Sequence, residues 1–192
     1  MKSITAKQAK EFGKIFAAKR DFRVISKGQV MWVFQRLARR VMTKYAHFVE
    51  KMSDKLRPMT IYKLVFLPWK MGAKSPSALQ QVLTMVHEAV HVVRIKKWRE
   101  DGGTVARWYK EYYTNPTFRA TEEALCIAAE GILVTEHLGG DFNFPDLRSG
   151  YYFGKSDQAH AEKIYNKYVS GAGVSSDVVR TALGCLKDIG VL

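Results

Sequence analysis

His87-Glu88-Ala89-Val90-His91 sets two imidazoles four residues apart, with a carboxylate directly after the first. In an α-helix, residues at that spacing lie almost above one another on one face. The pair can therefore chelate one metal ion without any movement of the backbone. Glu88 projects about 100° round the axis from His87. That direction makes it a poor third ligand, but it can reach a water on the metal. Two ligands and one general base are what metal-assisted hydrolysis requires, and zinc is the expected ion.

A hydrolytic zinc site takes three protein ligands and leaves one position open. The longer H-E-x-x-H-x-x-G-x-x-H pattern is excluded, because Arg94 and Lys97 stand at its glycine and third histidine. The third ligand must come from elsewhere, and a second helix antiparallel to the first could supply it. Asn115-Pro116-Thr117 restarts a helix that carries Arg119, Glu122, Glu123 and Cys126. Glu123 is the expected ligand, with Glu122 the alternative. Arg119 lies one turn earlier and is placed to orient the Glu123 carboxylate as a supporting contact. Arg119, Glu123, Glu130 and His137 share one polar stripe, which either lines a site or faces water. Cys126 reads first as a small buried residue of that helix.

Peptide-bond hydrolysis also needs a donor for the developing oxyanion. Tyr151 and Tyr152, in an aromatic loop able to cover a cleft, are the candidates. Tyr109, Tyr112 and Tyr113 lie on the segment between the two site helices. His137 and His160 are fallback metal ligands.

The string His-Glu-Ala-Val-His, the aromatic Trp108-Tyr109-Lys110-Glu111-Tyr112-Tyr113, and then Arg119-Ala120 and Glu123-Ala124 together resemble the small gluzincin-type zinc peptidases. The likeness covers roughly residues 60 to 138, and only its H-E-x-x-H part is specific. It implies that His87, His91 and Glu123 bind zinc and that Glu88 activates water. The chain departs from the best-known gluzincin pattern at Ile127, where an aspartate would follow the glutamate by four residues. Short chains of this kind are also encoded by tailed bacteriophages, which implies a virion as one setting.

The elements around the motif must hold it in place. Ser75-Pro76-Ser77 offers an N-cap with an early proline, and Ala78 to Trp98 then runs without glycine or proline. Leu79, Val82, Leu83, Val86, Val90 and Val93 form a broad apolar stripe, so the motif helix is expected to be largely buried. Two histidines and a glutamate are costly there unless bonded or coordinated. Upstream, Thr60 to Pro68 reads as a strand whose edge could hold an extended peptide. Helices are expected over Ala6–Ala18, over an apolar-periodic stretch from Val30 to Phe48, and over Asp157–Val169 and Ser175–Ile189. Gly139-Gly140-Asp141 closes the second site helix, and Phe142 to Gly154 reads as a loop. The expected fold class is α+β, mostly helical, with a small sheet beside a zincin-like pair of metal-binding helices.

With 192 residues, 47% of them apolar, the chain suits one domain able to bury about two-thirds of its unfolded surface. Net charge is +13, and residues 1–58 carry 15 Lys and Arg against 4 Asp and Glu. The expected organisation is thus a basic helical segment, 1–58, continuous with a peptidase core, 59–192. The basic segment suits contact with nucleic acid or an acidic protein partner. Met1 to Phe12 lacks the apolar core of a secretory signal, and no run approaches the roughly 20 residues of a membrane span. Two cysteines far apart give no disulfide framework, so cytoplasmic or virion-internal conditions are expected. A rival expectation from another class is a structural or adaptor protein of a larger assembly that keeps the zinc fold to bind a partner.

Overall fold

The computed structural model describes residues 1–26, 58–151, 153–170 and 173–192. The apolar-periodic stretch expected as a helix from Val30 to Phe48 lies outside these residues, as does Tyr152. The described residues are mostly helical, with a three-stranded sheet among them. Helix α1 spans Ala6–Lys19, and the strands are β1 (Arg23–Ser26), β2 (Met59–Ile61) and β3 (Leu64–Leu67). Helices α2 (Ala78–Glu100), α3 (Val105–Thr114) and α4 (Pro116–Ile132) follow. A π-helical turn, Leu133–Leu138, extends α4. The chain closes with α5 (Arg148–Tyr151), α6 (Lys155–Val169) and α7 (Val174–Asp188). Among the described residues, no helix is long and apolar enough to cross a membrane.

The single strand expected over residues 60–68 is two strands. Tyr62 takes a φ of 51° and turns the chain, so that Ile61 faces Leu64 and β2 pairs antiparallel with β3. No glycine, proline or asparagine marks this turn, and a bulky residue at positive φ is a backbone outlier that sequence patterning does not foresee. β1 runs parallel to β3 on its other side, giving the order β1-β3-β2. This pairing ties the basic front segment to the rest of the fold. Phe12 and Phe16 of α1, both fully buried, join the core cluster that holds Val86, Val90 and Leu186. Position 58 therefore marks no separate core among the described residues.

Helix α4 is the axis of the molecule, packed against α2, α6 and α7. Its alanines, Ala120, Ala124, Ala128 and Ala129, are all fully buried, and their small size lets neighbouring helices approach. Gly131 takes this furthest: a Cβ there would stand 2.8 Å from the Tyr165 hydroxyl. The segment between the site helices is itself helical (α3), capped by Thr104 accepting from Arg107 N at 3.2 Å. The aromatic loop expected over 142–154 contains the one-turn helix α5.

Candidate metal centre

Helix α2 begins at Ala78, as the sequence suggests, but Pro76 stands ahead of the cap and not in the first turn. Ser77 caps it, its hydroxyl accepting from Gln80 N at 3.2 Å, and Asp101 ends it ahead of Gly102 at a φ of 87°. Val82, Met85, Val86, Ala89, Val90 and Val92 are each fully buried, so the helix cannot rotate without exposing its core face. Asn115 caps α4 in the same way, accepting from Phe118 N at 3.1 Å, with Pro116 in the first turn. The two helices pack antiparallel: His87 meets Glu130, while seven residues on Arg94 meets Glu122.

Between them lies Glu123, 1% exposed, with one carboxylate oxygen on each imidazole. His87 Nε2 stands 3.3 Å from Oε2, and His91 Nε2 stands 3.2 Å from Oε1. A tetrahedral zinc with bonds of about 2.0–2.1 Å to nitrogen and oxygen spans about 3.4 Å between two such donors. The Oε2 atom is buried and makes no hydrogen bond of good geometry, although His87 is within ion-pair distance. A buried carboxylate oxygen left in that condition is costly, and a cation would satisfy it. Among the described residues, the donors grouped within 4.8 Å of one another are one nitrogen of each imidazole and the Cys126 sulfur, with Glu123 beside this group rather than in it. The residues present thus fit a divalent metal of zinc's type.

The surrounding contacts orient these donors. His87 Nδ1 donates to Glu130 Oε1 at 2.7 Å, which leaves Nε2 turned toward Glu123. Tyr112 donates to Glu123 Oε1, and Arg119 donates to the Tyr112 and Tyr113 carbonyls at 2.8 and 3.3 Å. Arg119, 3% exposed, thus holds the end of α3 that delivers the Tyr112 hydroxyl. Glu88, 5% exposed, is fixed from the sheet: Thr60 of β2 donates to Glu88 Oε2 at 2.6 Å. Tyr109 in turn donates to the Thr60 carbonyl, so sheet, α2 and α3 meet at this point.

Electrostatics follow from burial and pairing. Burial pushes the His87 imidazolium toward losing its proton, yet Glu123 and Glu130 outweigh it and raise the group well above its ordinary value. Burial also opposes charge on Glu123, but His87 and His91 outweigh it and hold the carboxyl well below the usual range. Without metal, the pair is therefore an imidazolium and a carboxylate. Burial, and then the nearby Glu123 charge, raises both Tyr112 and Tyr151 well above the ordinary phenol value. Both hydroxyls stay protonated and can donate.

Of the sequence-derived residues, His87, Glu88, His91, Glu123, Arg119 and Tyr151 gather at one place. Glu122 does not join them. It is fully buried and bound by Arg94, whose Nε and Nη2 donate at 2.6 to 3.2 Å. The fallback ligands lie elsewhere: His137 pairs with Glu136 at 3.8 Å, and His160 meets Thr121 at 2.9 Å. Sequence reasoning missed Thr60 altogether and left Glu130 undecided on its polar stripe. Compared with protein-family models, curated proteins and solved structures, the chain finds no match.

Proposed function

We propose that this chain is a zinc-dependent peptidase, with α2 and α4 as a zincin-like pair of helices. The observation that supports this reading is the divided Glu123 carboxylate, one oxygen at each imidazole, with Glu88 anchored beside them. His87, His91 and Glu123 are the residues that would hold the ion. Zinc bound there supplies a Lewis acid that polarises a peptide carbonyl and acidifies a water. Thr60 occupies Oε2 of Glu88 and leaves Oε1 to receive the proton of the attacking water. Glu88 then passes that proton to the departing amine. Tyr151, kept protonated by its surroundings, is the hydroxyl donor for the charge that develops on the carbonyl oxygen, with Tyr152 as its neighbour in sequence. The substrate is an extended peptide, for which the β2 edge is the nearest backbone template. Glu88→Gln should lower turnover of a fluorogenic peptide library by about 10²–10⁴-fold while zinc stays bound. Full activity in that variant would overturn the mechanism.

A second reading is favoured by burial. The side chains of His87 and Glu130 are only 14% and 15% exposed, and Glu123 only 1%. A site this enclosed would also suit a structural cross-link between α2 and α4 in an adaptor protein. The basic residues 1–58, with Lys7, Lys10 and Lys14 exposed on α1, would then dock an acidic protein or nucleic acid within a larger assembly such as a virion. Full zinc occupancy without hydrolysis of any library peptide would select this reading over the first.

A further inference from the structure

Cys126 lies three residues after Glu123 on α4, fully buried, and on the same side of the helix. Its sulfur is 3.6 Å from His91 Nε2. A tetrahedral zinc with bonds of about 2.3 Å to sulfur and 2.0–2.1 Å to nitrogen separates those donors by about 3.6 Å. The sulfur is equally far from His91 Nδ1, so it stands over the ring and must shift to come into line with an ion on Nε2. Two further observations point to the same place: one nitrogen of each imidazole and this sulfur lie within 4.8 Å of one another, and Glu123 Oε2, on a side chain 1% exposed, is buried beside His87 Nε2 without a hydrogen bond of good geometry. A buried thiol needs no such company if it only fills a core.

We propose that Cys126 is a fourth protein donor of this centre, closing it at rest until its sulfur leaves. The proposal rests on the reading of the site as a metal centre and names how that site is regulated. On loading, a metal–sulfur bond replaces S–H and the proton passes to solvent. Four protein donors make a closed zinc site, whereas hydrolysis needs a position free for water. Cys126 therefore competes with the water that Glu88 would activate. A sulfur donor also favours zinc and cobalt over magnesium and calcium.

Cobalt(II) added to the metal-free protein tests this without any activity assay. Intense visible bands report a tetrahedral site, and a near-ultraviolet sulfur-to-cobalt band reports a thiolate ligand. The expected result is both in the native protein, with the ultraviolet band lost in Cys126→Ser and kept in Cys185→Ala. The native spectrum decides even where Cys126→Ser fails to fold. Visible bands without the ultraviolet band would overturn the Cys126 ligand and leave the histidine–glutamate centre standing. No cobalt binding at all would overturn both.

Discussion

Glu130 accepts the Nδ1 proton of His87 at 2.7 Å from two turns further along α4 than Glu123, the carboxylate that faces the same ring's Nε2. One helix thus holds both ends of the imidazole. Glu130 supplies a carboxylate to the ring nitrogen of His87 that points away from Glu123. Contacts of this kind typically contribute 10–100-fold to metal affinity. Glu130→Ala should accordingly weaken zinc binding by about 10–100-fold, measured by competition with a chromophoric chelator. Unchanged affinity would show that Glu130 is a bystander.

The adjacent glutamates of α4 should behave differently. Glu123→Ala should sharply weaken zinc binding. Glu122→Ala should leave zinc content unchanged but lower stability, because it strands Arg94 beside the core. Breaking a buried pair costs about 3–5 kcal/mol, and the 31% exposure of Arg94 reduces this to about 2 kcal/mol. Denaturant unfolding, alongside elemental analysis of both variants, separates the two roles.

Without metal, the stability of the protein should depend on pH through His87 and Glu123. The folded state raises His87 above its ordinary 6.5, so this contribution is full below 6.5 and is lost as pH rises through the raised value. It lowers Glu123 below its ordinary 4.5, so that contribution is full above 4.5 and is lost as pH falls through the lowered value. Both are present together between those two values. Unfolding free energies measured in chelator should therefore fall more steeply on either side of this window in native protein than in a His87→Gln, Glu123→Gln double variant. The same pH slope in both proteins would remove the pair from the account.

Much of the site was legible because its helices carry explicit punctuation. Ser77 and Asn115 cap α2 and α4 as the sequence suggests, and spacing alone puts His87 and His91 on one face. What stayed hidden depends on contacts between elements. The stripe Arg119, Glu123, Glu130 and His137 looks the same whether it faces water or another helix. Only the antiparallel packing against α2 gives Glu130 its partner. His137 lies two turns beyond Glu130, on the π-helical turn from Leu133, and lines a separate pocket with Val169, Val179 and Arg180. Thr60 has no local signal, because its role exists only once β2 lies beside Glu88. Tyr62 divides the expected strand through a backbone conformation that residue type disfavours.

The most direct measurement is the metal content of the purified native protein, by elemental mass spectrometry, beside a His87→Ala control. The expected result is about one zinc per chain, lost in the control. A native protein without metal, and unable to take zinc when it is added back, would contradict it and leave His87, His91 and Glu123 as a buried ion cluster of the core.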